Sequence, residues 1–234
     1  MQSLQDFHGL PTVKRSLRYL AVALASNPDT ADLAQQIRDE RARLQAAEEK
    51  HDTAYESWLC AAAVVRYLDK KLDKTVLALS RDTFALVNGN RRDPRYQKLF
   101  LKPPTTAMKG IADDPQEMYV RAIISTIEKD DDFTTLRTRL PRIVAELGEL
   151  KTAVESRNQK RIEETTSLQE LRLALEHARR TYNLMHPRLQ LIFPDDPDLV
   201  ETFFRELRSF KADDEGEAPP AEPPGGPGEP QPTP

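Results

Sequence analysis

From Thr30 to Val87 the chain contains neither proline nor glycine. Apolar or small residues recur through this stretch at steps of three and four: Leu33, Ile37, Leu44, Ala47, Tyr55, Trp58, Ala62, Val65, Leu68, Leu72, Val76 and Leu79. That is the period of an α-helix with one apolar stripe, and at 1.5 Å per residue it is on the order of 90 Å long. A helix of that length cannot bury its stripe inside a small globule, so it needs a partner of comparable length. The stripe thins at Arg41 and His51. It thickens from Trp58 to Leu79, where a second face (Leu59, Ala63, Val64 and Leu77) joins it, so this segment is expected to be the most buried. Asn88-Gly89-Asn90 provides the residue types that enter the left-handed region and stop a helix.

The partner is a second long pattern: Leu136, Leu140, Ile143, Leu147, Leu150, Val154, Ile162, Leu168, Leu171, Leu175, Tyr182 and Met185. Pro141 is either its first-turn proline or a kink, Gly148 weakens it slightly, and Arg157 to Thr166 is polar. Shorter helices are expected around Val13–Leu24 and from Pro115 to Ile127, the latter stopped at Asp130-Asp131-Asp132. A closing helix carries Leu199, Val200, Phe203, Phe204, Leu207 and Phe210. Residues 1–11 read as a loose leader. The expected fold is all-α: an elongated antiparallel bundle of two long and about three short helices over residues 1–211.

After the first long helix comes Asp93-Pro94-Arg95-Tyr96-Gln97-Lys98-Leu99-Phe100-Leu101-Lys102-Pro103-Pro104. It is echoed by His186-Pro187-Arg188-Leu189-Gln190-Leu191-Ile192-Phe193-Pro194-Asp195-Asp196-Pro197, with five of twelve positions identical. Pro94, Phe100 and Pro104 in one copy, and Pro187, Phe193 and Pro197 in the other, read as structural corners that turn the chain and plug the bundle. Each copy follows a long pattern, so a duplication is expected, with units 12–114 and 115–211.

From residue 212 onward the chain has eight prolines, four glycines and six acids, and no large apolar residue. Such a tail cannot offset its ordering entropy by burial and is expected to be disordered. It also carries the acidity of the chain: the rest holds 34 basic against 32 acidic residues. Four glycines before residue 212 are too few for a Gly-rich phosphate loop. The single Cys60 excludes an internal disulfide and reads as a small buried thiol. No apolar run approaches the roughly 20 residues of a membrane span. The run Tyr19–Ala25 behind Lys14, Arg15 and Arg18 is too short for an export signal, so the cytoplasm is the expected compartment and no membrane partner is expected.

Glu48 and His51 have the i, i+3 spacing of bundle metal sites, but no second Glu-x-x-His accompanies them. Neither a metal nor another cofactor is expected, and no catalytic constellation is visible. The segment 91–109 is more informative, with Arg91, Arg92, Arg95, Lys98, Lys102 and Lys109 set against Asp93 and interleaved with Tyr96 and Phe100. Cations beside a stacking aromatic suit phosphate backbones, so Arg91, Arg92, Arg95, Tyr96, Lys98 and Lys102 are the candidate binding residues. The expected function is a non-enzymatic scaffold or adaptor with a protein partner, which includes self-association into a homo-oligomer. The alternative is a nucleic-acid or polyanion binder using residues 91–109.

Overall fold

A computed structural model describes residues 3–110 and 114–205. Among these residues there is no strand, and two long antiparallel helices form the frame. They are α2 (Ala31–Leu86) and α6 (Leu140–Ile192). The others are α1 (Leu10–Ala25), α3 (Pro94–Leu99), α4 (Pro104–Ala107), α5 (Asp114–Lys129) and α7 (Pro197–Thr202). Two 3₁₀ turns, Pro28–Thr30 and Asp131–Arg139, lead into α2 and α6.

Helix ends follow local chemistry. The α2 stop is left-handed: Asn88 has φ 53° and Gly89 φ 78°, and the Gly89 N–H donates to the Phe84 carbonyl at 2.9 Å. Each 3₁₀ turn is capped by a side-chain oxygen. Asn27 Oδ1 accepts from Asp29 N at 2.9 Å, and Asp130 Oδ1 accepts from Asp132 N at 3.0 Å. Pro141 lies in the first turn of α6, where its missing N–H costs nothing, and is not a kink.

The interior divides into two cores. One joins the C-terminal half of α2 (Val65, Leu72, Val76, Leu79) to the start of α6 (Ile143, Leu147, Leu150) and is closed by Val120, Ile123 and Ile127 of α5. The other joins the start of α2 (Ala34, Ile37, Leu44) to the end of α6 (Ala178, Tyr182, Met185, Leu189). It is closed by α1 through Val13, Leu17, Leu20 and Leu24, and by Val200, Phe203 and Phe204. A fully buried Leu or Ile contributes roughly 1.5–3 kcal/mol, so stability is concentrated at the two ends.

Between the cores lies a waist of two helices held by polar contacts. Lys50 pairs with Glu170, and His51 Nδ1 lies 3.3 Å from Ser167 Oγ. The Arg161 guanidinium sits 4.7 Å over the Trp58 ring. The expectation of densest burial from Trp58 onward is corrected here. Leu59, Ala63 and Val64 are exposed, Trp58 is half-buried, and dense packing begins only at Val65. Cys60 is likewise exposed, because among the described residues no third helix covers the waist.

The leader also departs from expectation. Leu4 is buried, and its backbone is clasped by the Asn183 amide through two hydrogen bonds of 2.8 and 2.9 Å. Leu207 and Phe210 of the expected closing helix, and the expected disordered tail 212–234, lie outside the described residues.

Candidate functional site

The basic segment folds into α3 and α4 with short turns around them. Asp93 caps α3 by accepting from the Arg95 N–H at 2.9 Å, and its carboxylate also takes the Arg95 guanidinium at 3.0 Å. Those hydrogen bonds hold the Asp93 carboxyl below the usual range and push the Arg95 guanidinium up. Lys98 reaches Asp130 at the end of α5 in the same way, which raises the lysine and lowers the aspartate. Two of the candidate cations are thus committed within the fold.

Tyr96 faces inward. Its hydroxyl lies 2.9 Å from Ser80 Oγ, and its ring packs against Phe84 and Phe100 at 6.3 and 5.1 Å between centroids. A ring held this way is not a free stacking platform. Arg91 stacks over Phe84 at 5.4 Å, while Arg92 and Lys102 are exposed and make no ion pair among the described residues. Tyr119 ties the segment to α5 by donating to the Lys102 carbonyl at 2.8 Å, and burial pushes its hydroxyl pKa far up.

The two corners share backbone shape but differ in burial. Phe100 ends α3 at φ −119°, ψ 79°, and Phe193 ends α6 at φ −123°, ψ 67°. Each N–H donates four residues back, to Tyr96 at 2.9 Å and to Leu189 at 2.8 Å. Pro104 and Pro197 then open α4 and α7. Pro94 starts α3, but Pro187 lies inside α6, so the second corner does not begin until Phe193. Phe100 is buried; Phe193 is half-buried and stacks on Phe203 at 6.0 Å.

Of the Glu48–His51 pair, Glu48 is engaged by Lys14 at 2.5 Å and His51 faces Ser167. No group of three metal-binding side chains occurs among the described residues, and no helix among them is long and apolar enough to cross a membrane.

A surface that pattern reading missed is the outer face of the waist. Tyr55, Leu59, Ala63 and Tyr67 follow one another at i, i+4 along α2, and all are exposed, with Val64 beside them. On α6 the waist presents Thr165, Thr166, Gln169 and Arg172, with the exposed Ile162 and Leu173 set singly among them. The signal for the α2 face was present in the sequence as its second apolar face, which was read as core. No known family, no curated protein and no solved structure matches the chain.

Proposed function

We propose that this chain is a non-enzymatic helical scaffold that presents helix surfaces to protein partners. The observation that carries this reading is the aromatic and aliphatic face of α2 in the waist. It is continuous over several turns, whereas the exposed apolar residues at the two ends, such as Leu101 and Leu191, stand singly. A helix of this length also holds its two ends at a fixed spacing, which suits a spacer or adaptor. The reading places the protein in a reducing cytoplasmic compartment, where the exposed Cys60 stays a thiol. We also read the two halves of the chain, 12–114 and 115–211, as copies of one unit. In support, α1 and α5 have 16 residues each, and the 3₁₀ caps and the Phe corners share their backbone shapes.

The test is affinity capture with the full-length protein and with a Leu59→Lys/Tyr67→Lys variant. Other polypeptides held by the wild type and released by the variant are the expected result. Identical sets from both proteins would remove the α2 face from the reading.

A second reading, polyanion binding by residues 91–109, is favoured by the exposed Arg92 and Lys102. It predicts retention on a phosphate matrix that falls steeply with salt and drops further after Arg91→Glu/Arg92→Glu. Unchanged retention would sink it.

A further inference from the structure

We propose that the α2 face between Asp52 and Lys70 is a two-fold seam that binds the same face of a second copy of this chain. The inference rests on the scaffold reading and names its partner.

The first support is where the face lies. At one end α1 approaches α2 at Glu48, which Lys14 of α1 contacts at 2.5 Å. At the other end α5 approaches at Asp69 and Asp73, through Gln116 at 3.0 and 3.4 Å. Between these contacts α2 carries Tyr55 at 43 % exposure, Leu59 at 44 %, Val64 at 50 % and Tyr67 at 69 %. The stretch from Asp52 to Lys70 is about 27 Å long, enough for one helix to cross it.

The second support is charge complementarity of the face with itself. Two copies of a helix related by a two-fold axis run antiparallel, and each contact occurs twice with its residues exchanged. With the axis level with Ala61, Tyr55 meets Tyr67 of the second copy and Leu59 meets Ala63. Glu56 then meets Arg66, and Asp52 meets Lys70. Both exposed acids of the stretch, Asp52 and Glu56, thus face a base, and the two tyrosines face each other. Glu56, Arg66 and Asp52 are exposed and make no ion pair within the chain among the described residues. Lys70 is also exposed, and its ammonium is shared with Asp73 at 2.8 Å.

The third support is the form of the ridge. Tyr55, Leu59, Ala63 and Tyr67 form an i, i+4 row, and such a row packs into the grooves of the second copy at a shallow crossing of about 20°, which keeps antiparallel helices in contact over several turns. The contact is a single helix crossing at the small end of specific interfaces, so the dimer should dissociate on dilution rather than be obligate.

The experiment is sedimentation equilibrium of the full chain from about 1 µM to about 1 mM, a range that spans weak protein affinities. It would be run for the wild type, Glu56→Arg, Arg66→Glu and the double exchange Glu56→Arg/Arg66→Glu. Each single reversal sets two like-charge pairs across the seam and is expected to weaken dimerisation at least about tenfold. The double exchange restores opposite charges and is expected to return most of that loss. Both positions are exposed, and a far-ultraviolet spectrum and melt of each variant confirm that it folds. Two results would overturn the seam. One is a monomer at every concentration, which leaves the face to a different protein. The other is a dimer indifferent to the single reversals, which places the contact on another surface. A monomer that still captures other polypeptides through Leu59 and Tyr67 would discard the seam and keep the scaffold.

Discussion

Phe100 and Phe193 share their backbone angles but not their burial, and this difference sets what each contributes. Phe100 is enclosed by Tyr96 and the first core, so Phe100→Ala should cost roughly 3–5 kcal/mol in urea denaturation. Phe193 keeps part of its ring in water, so Phe193→Ala should cost about half as much or less. Equal losses would mean that the corners pack alike. Tyr182 offers a pH-dependent test. Its ring is fully buried against Phe204, its hydroxyl has no hydrogen-bond partner among the described residues, and burial pushes its pKa up to about 12. An unfolded tyrosine titrates near pH 10. Between about pH 10 and pH 12 the unfolded chain gives up this proton while the folded one holds it, so stability falls as pH rises through that window. Tyr182→Phe should flatten that fall and raise stability at neutral pH by up to about 1 kcal/mol, since it removes an unpaired buried hydroxyl. Denaturation curves across the window check both, and identical slopes for the two proteins would refute the assignment.

At the scale of elements, the glycines separate two kinds of helix position. Gly148 sits exposed inside α6, and a methyl group added there meets nothing within 4 Å. Gly148→Ala should therefore stabilise the protein by roughly 0.5–1 kcal/mol. Gly89 stands at φ 78° beyond the end of α2, and Gly89→Ala should destabilise by about 1 kcal/mol, because an alanine is strained there. Thermal melts of the two variants should move in opposite directions. The pattern alone leaves open whether Pro141 starts or kinks α6, whereas both long helices and the left-handed stop were legible in the sequence, because periodicity and caps are local signals. The interruption expected at Pro187 was not, since a proline inside a helix and one that ends it look alike until tertiary contacts such as those of Leu189 are known. The burial of Leu59 and Val64 was misread for a related reason. An apolar face says that something can cover it, and only the tertiary arrangement shows whether this chain does. Tyr96 fits both a stacking platform and a buried plug from sequence alone, and it lies inside because its partner Ser80 belongs to the preceding helix.

For the whole molecule, the two cores predict uneven coupling. The waist joins them through Lys50–Glu170, the His51–Ser167 contact and the Arg161–Trp58 stack, and exposed ion pairs contribute about 0–1 kcal/mol each. Hydrogen exchange of Phe100→Ala should therefore accelerate in residues 65–87 and 120–150 and change little in residues 13–44 and 178–200. Uniform acceleration would show that the ends open as one unit. The waist has a mechanical consequence as well. A beam bends where its cross-section is least, so a load applied across this rod is concentrated in the two-helix stretch of α2 and α6, between Lys50 and Val65 on α2. A second copy laid over the same turns would act as a splint, and dimerisation would then control the stiffness of the rod as well as its valency.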